Sequence, residues 1–379
     1  MLGCVNWEST PSDPIVPNSD ATPILIATGM HRSGTSLTAA LLQSAGTDIG
    51  RELVAPYIGN LKGHFENVDF LQFHQKILRS RHLDEVGLTL HEISPLDESE
   101  TQLACEVVAN NASDGVWGWK DPRATLFLLF WEQLLPNARF LLVYRSPWEV
   151  ADSLYRRGTD EMFKRSPELA VELWMHYNRK IVEFCDRHAQ QCLLTRVDWI
   201  IADPVAYIET VNRRFEINLA PPATEIYDRD LFDTRVSSDP RRMAQIAHYF
   251  PQALKLYREL NDRAWKPAKI AEESRQLPTE PPAYDRHLAF RDWVDLRDLE
   301  RRYRTLEAEC SATDFALADH PEAVRELQAA LARSQGKLQR SRAETMQLQC
   351  TIEAMESSKF WKLRSAWFRF KQAIGLPVR

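Results

Sequence analysis

The 379-residue chain has no window of about eighteen uninterrupted apolar residues, and its first 22 residues lack both a basic start and an apolar stretch. No segment is therefore expected to cross a bilayer, and residues 1–22 read as a flexible lead-in, neither signal peptide nor anchor. Cysteine is sparse: Cys4, Cys105, Cys185, Cys192, Cys310 and Cys350 show no C-x-x-C pair and no metal-ligand spacing. That argues against a disulfide framework and a zinc site, and predicts free thiols in a reducing, cytoplasmic setting. Nowhere else do metal-ligating residues cluster, so no metal is expected. Acidic residues are missing from 357–379, which carry Lys359, Lys362, Arg364, Arg369, Lys371 and Arg379, so the net charge of −6 conceals a basic end.

What is present begins with a strand, a loop and a helix. The β-branched run Ile24 to Thr28 meets a loop containing Gly29 and Gly34, and apolar Leu37, Ala40 and Leu41 follow at helical spacing. Two glycines five apart let backbone N–H groups point inward, and the helix adds its positive end, which suits an anion such as a phosphate. The spacing copies a P-loop, but Thr35 stands where a nucleotide triphosphatase carries Lys, and the positive charge sits at Arg32. Without that Lys, ordinary NTPase chemistry is disfavoured.

Two further stretches carry chemistry. Val116 to Trp119 reads as a short buried strand that leaves Lys120 at its carboxyl end, followed by Asp121, Pro122 and Arg123. In open α/β sheets that edge binds ligands; the other reading of Lys120 is a surface residue with Asp121 capping a helix over 124–135. Arg139 to Tyr144 reads as a fully buried parallel strand, after which Arg145 precedes a turn at Pro147 and a helix carrying Ser153. Arg145 occupies the place where an NTPase tends to hold Mg²⁺ with an acid, which favours an anion site over a metal site.

In these residues the chain resembles the PAPS-dependent sulfotransferases of bacterial and Golgi type, whose donor is 3′-phosphoadenosine 5′-phosphosulfate. The resemblance rests on Arg32-Ser33-Gly34-Thr35-Ser36, Lys120-Asp121-Pro122 and Arg145 with Ser153, and covers about residues 23–265. It implies a P-loop-like three-layer α/β/α domain with a central parallel sheet. It further implies a 5′-phosphosulfate cradle at Arg32, Ser33, Gly34, Thr35 and Ser36, a 3′-phosphate site at Arg145 and Ser153, and Lys120 and Arg32 neutralising the transferring group. Such chemistry needs a general base, and Glu66 is the best-placed match, with His64 the competitor; the other role open to Glu66 is to cap the helix after it. Where many relatives carry Tyr-Glu-Asp-Leu, this chain has Val197-Asp198-Trp199-Ile200, and Arg235 is a weak further candidate for the 3′-phosphate. The acceptor implied is a hydroxyl, on a glycan by family analogy. A P-loop kinase or NTPase, or a nucleotide-binding scaffold, are the alternatives. Nucleic acid is not among the expected partners.

Beyond the catalytic domain the pattern changes. Arg241 to Leu260 reads as one helix, and residues 266–320 as a Pro-containing linker followed by a charged helix. Val324, Leu327, Leu331, Ser334, Leu338, Ser341, Thr345, Leu348, Ile352 and Met355 recur three and four apart, a heptad seam over 321–356 that predicts a coiled coil and a homodimer. Residues 357–379 combine the basic residues with Phe360, Leu363, Trp367, Phe370 and Ile374 on one stripe, a basic amphipathic helix suited to peripheral contact with an anionic membrane.

Overall fold

The structure, a computed structural model, describes residues 23–55, 65–158, 160–223, 240–268, 285–316 and 321–357, together with Trp367. Four strands, β1 (Ile24–Thr28), β2 (Trp117–Lys120), β3 (Ala138–Tyr144) and β4 (Cys192–Arg196), form one parallel sheet in the order β2-β1-β3-β4. Each consists almost wholly of buried residues, as expected when both faces are covered by helices.

Alternation along the strands divides the core into two layers. Ile24, Ile26, Phe140 and Leu142 face a large cluster that includes Phe70, Trp119, Trp131, Trp174 and Tyr177. This side is built by α2 (Val68–Ser80), α3 (Glu98–Asn111), α4 (Leu128–Leu134), α5 (Pro147–Arg157), α6 (Glu161–Arg165) and α7 (Leu169–Arg187). Leu25, Ala27, Leu141 and Val143 face a smaller cluster with residues of α1 (Thr35–Ser44), α8 (Val197–Ala202) and α9 (Pro204–Phe215). The result is a three-layer α/β/α domain with a central parallel sheet.

Two expectations need correction. Residues 241–260 are not one helix: α10 (Pro240–Tyr249) stops before Phe250 and α11 (Pro251–Arg263) begins at Pro251. Proline lacks the N–H that would continue the first helix and is suited to start the second. Likewise, the helix expected over 124–135 opens as a 3₁₀ turn, Pro122–Phe127, before α4.

The first compact unit extends to Asp298. The first turns of α12 (Arg286–Ala316) bury Phe290, Trp293 and Val294 in the larger cluster. A second compact unit starts at Leu299 and includes the rest of α12 and the long helix α13 (Pro321–Ser357), which covers the predicted heptad seam. No helix among the described residues is long and apolar enough to cross a membrane. The expected linker over Leu277 to Pro282, the lead-in 1–22, His64, Arg235 and most of 357–379 lie outside the described residues.

Candidate active site

The parallel register brings the functional residues to one edge. Thr28 closes β1 opposite Leu142, Lys120 closes β2 opposite Ala27, and Tyr144 closes β3 opposite Arg196. Gly29, Asp121 and Arg145, which come next in the chain, therefore leave the sheet side by side at its carboxyl edge.

The loop between β1 and α1 is shaped by contacts only glycine allows. A Cβ on Gly29 would lie 2.0 Å from the Val143 carbonyl oxygen, and one on Gly34 would lie 2.2 Å from Val197 Cγ2, with φ at Gly34 of +95°. Arg32 also has a positive φ, 68°. Its Nε donates to Ser153 Oγ of α5 at 2.8 Å, which joins two residues 121 positions apart that the sequence assigned to opposite ends of one ligand. The N-cap of α1 is Gly34, which has no side chain to cap the helix, so the positive end of α1 faces the loop. Ser33 Oγ and His31 Nε2 are buried and make no hydrogen bond. Burial above all, reinforced by the charges of Arg123, Lys120 and Arg157 against that of Asp121, holds His31 well below its ordinary pKa of 6.5. His31 is thus neutral at pH 7.

The second group is a buried ionic cluster. Lys120 Nζ donates to Glu66 Oε1 at 2.7 Å, and Arg123 Nη1 stands 3.6 Å from Glu66 Oε2. Glu66 does not cap the helix after it, because Asn67 has that role, its Oδ1 accepting from the N–H groups of Asp69 and Phe70. The Glu66 carboxylate is thereby left to the site. Asp121, the residue after Lys120, accepts from Arg123 Nη1 at 2.9 Å and faces His74 Nδ1 at 2.8 Å. Trp131 Nε1 can only donate, and it does so to His74 Nε2 at 3.0 Å, so the imidazole proton sits on Nδ1 and points at Asp121. Burial alone would raise the Asp121 pKa, but the Arg123 guanidinium and the His74 contact hold the carboxyl well below the usual carboxylate range. Asp121 is an ionised post between Arg123 and His74.

The third group lies on the β3–α5 connection. Ser146 caps α5, Pro147 starts it, and Gly158 ends it in the left-handed conformation. Arg145 Nη2 donates to Glu149 Oε1 at 3.3 Å, and its backbone carbonyl accepts from Trp174 Nε1 at 2.9 Å. Next to Ser153, the fully buried Asp152 accepts from Trp293 Nε1 at 2.8 Å and from Arg297 Nε at 2.6 Å, and pairs with Arg156 Nε at 2.9 Å. The start of α12 is thus pinned to the helix that carries Ser153.

The predicted residues thus come together as follows: Arg32, Ser33, Gly34, Thr35 and Ser36 lie on the loop and α1, with Arg32 bonded to Ser153 of α5; Glu66 pairs with Lys120; and Arg145, after β3, pairs with Glu149. Sequence reading missed His74, the role of Asp121, and the Asp152 clamp. Phe290, Trp293 and Val294, three and four apart in an otherwise charged segment, were the available signal for the last.

Several solved structures are similar to this chain. The sulfotransferase from Alicyclobacillus acidocaldarius is 14% identical, with 65% of this chain and 98% of that one covered and a TM-score of 0.41. The sulfotransferase domain from the curacin biosynthetic pathway is 16% identical, covering 55% and 78%, with a TM-score of 0.36. The sulfotransferase STF1 from Mycobacterium tuberculosis is 16% identical, covering 59% and 76%, with a TM-score of 0.34. A search of curated proteins finds no match. A family model described as "Sulfotransferase family" matches residues 23–221, more than half of the chain and all of the sheet. With its parallel sheet and its glycine loop at the carboxyl edge, the chain belongs to the sulfotransferase family.

Proposed function

We propose that this protein transfers a sulfuryl group from PAPS to an acceptor hydroxyl by in-line displacement, with Glu66 as general base. The observation that carries the reading is the buried Glu66–Lys120 pair, 2.7 Å apart, at the carboxyl edge next to the glycine loop. A carboxylate and an ammonium held together at the ligand-binding edge supply the two functions sulfuryl transfer requires, proton removal and charge neutralisation.

The residues present fit PAPS. Ser33 Oγ is buried with no partner, and Gly34, whose φ is +95° and whose Cβ would strike Val197, lets the loop turn tightly into α1. Ser33, Gly34, Thr35 and Ser36 would hold the 5′-phosphate, Arg145 and Ser153 the 3′-phosphate. When bound, PAPS supplies the sulfuryl group and a bisphosphate leaving group. Glu66 accepts the proton of the incoming hydroxyl, and Arg123, itself tied to Asp121, keeps the carboxylate oriented. Lys120 and Arg32 would put positive charge beside the leaving phosphate, which gains negative charge as the S–O bond breaks. A sulfuryl group carries less negative charge than a phosphoryl group, so protein cations suffice and no metal is proposed.

By family analogy the acceptor is a glycan hydroxyl. A cytoplasmic location, with the basic 357–379 segment resting on an anionic membrane surface, completes the proposal. The kinase alternative is disfavoured because Arg145, rather than a carboxylate, follows β3.

Calorimetric titration with adenosine 3′,5′-bisphosphate, set against ADP and ATP with Mg²⁺, tests the reading. Metal-independent binding of the bisphosphate that weakens in Arg145→Ala is expected. Equal affinity for ADP would sink it, and selective binding without turnover on any hydroxyl acceptor would leave a scaffold.

A further inference from the structure

We infer that α13 joins two copies of this chain as an antiparallel coiled coil, in one register. Among the described side chains of its seam, Leu327 is 46% exposed and Leu348 63%, with Leu331 and Leu338 only partly buried. Helices with such a seam gain by burying it against another. The choice of partner and direction comes from the residues beside the seam.

With Leu331, Leu338 and Thr345 as a positions and Ser334, Ser341 and Leu348 as d positions, Lys337 and Glu344 occupy g, and Gln335, Arg342 and Gln349 occupy e. A parallel, in-register pair brings each g residue against the e residue five further on in the other helix. Lys337 would then meet the partner's Arg342, two cations on each side of the dimer, while Glu344 would meet the neutral amide of the partner's Gln349. That arrangement has repulsion and no compensating attraction.

Reversing one helix removes the conflict. The seam matches itself about a point between Gln339 and Arg340: Leu331 falls opposite the partner's Leu348, Ser334 opposite the partner's Thr345, and Leu338 opposite the partner's Ser341. Positions 327 and 352, and positions 324 and 355, fall opposite each other in the same register. Leucine meets leucine, and the Ser334 hydroxyl meets another hydroxyl with which it can exchange a hydrogen bond. In an antiparallel pair g faces g, so Lys337 meets the partner's Glu344 and Glu344 meets the partner's Lys337. The same register also sets Arg342 against the neutral partner's Gln335. This register pairs Leu331 with Leu348 and Ser334 with Thr345, sets Leu338 against Ser341 at the centre, and alone turns the charge conflict into attraction; that self-complementarity commits the occupant to a second copy of this chain.

Sedimentation equilibrium of the full-length protein and three variants tests this. Lys337→Glu is expected to weaken the dimer roughly tenfold, Glu344→Lys to do the same, and the double swap to restore it, because two attractive pairs become repulsive and then attractive again. In a parallel dimer Lys337→Glu would instead tighten association by facing the partner's Arg342, an outcome that overturns the register. A wild-type protein that stays monomeric up to high micromolar concentration overturns the interface. As a second readout under mild oxidation, Ser334→Cys mixed with Thr345→Cys should form a disulfide between the two variants. Efficient linkage of Ser334→Cys to itself would mean a parallel pair.

Discussion

Charged side chains lie in opposite settings in the two compact units. In the first, Glu66, Lys120, Asp121, Arg123, Arg145, Glu149 and Asp152 are all buried, most of them beside the carboxyl edge of one sheet. In the second, the charged residues of α13 from Glu326 to Glu344 are exposed. A buried charge costs several kcal/mol unless it is paired, whereas an exposed one costs almost nothing and contributes little. Charges in the first unit are therefore kept where chemistry requires them, and those on α13 are free to discriminate between partners. Breaking pairs in the first unit should consequently be expensive, and in α13 should change association without unfolding anything.

The largest effect is expected at Glu66. Glu66→Gln keeps the shape and a hydrogen bond to Lys120 but removes the base, so turnover should fall about 10²- to 10⁴-fold while bisphosphate affinity is retained. Loss of both together would assign Glu66 to donor binding instead. Next comes Asp152→Ala, which removes the acceptor shared by Trp293 Nε1 and Arg297 Nε and the counter-ion of Arg156. A loss of about 3–5 kcal/mol in urea unfolding is expected, by analogy with breaking a buried pair. An unchanged midpoint would mean that the clamp is only a surface contact.

The smallest of the three effects is a pH dependence. His31 in the folded protein has a pKa well below 6.5, whereas the unfolded chain protonates it near the ordinary value. The unfolded state therefore binds the extra proton between the two, and stability should decline as pH falls below 6.5, by at most about 1.4 kcal/mol per unit. Thermal melts at pH 7.5 and 5.5 check this: His31→Asn should lower that slope, and an identical slope would move its origin elsewhere.

The sheet and the glycine loop were legible in the sequence because a fully buried strand is a continuous apolar run and a tight loop needs glycine. Val116 to Trp119 and Arg139 to Tyr144 announced themselves in this way, and Arg145 and Lys120 followed from their position after a strand. The partners of those residues were not legible. Glu66 meets Lys120 across 54 residues, and Asp152 meets Trp293 and Arg297 across 141 and 145. Pattern within a short window cannot encode such pairings, since they depend on where distant helices dock. The break at Pro251, in contrast, was written in the sequence, and a periodicity that ran through it obscured it.

The stack of Phe70 on Trp119, with ring centroids 3.8 Å apart, and the edge contact of Trp119 with Trp131 at 4.9 Å have an optical consequence. Trp119 immediately precedes Lys120, and Trp131 reaches Asp121 through a single imidazole. Two indoles are thus wired into the ionic cluster, one by the backbone and one by a proton-bearing ring. Ligand binding at the sheet edge should therefore alter their ultraviolet emission, and the part of the change that disappears in Trp131→Phe is the part Trp131 reports.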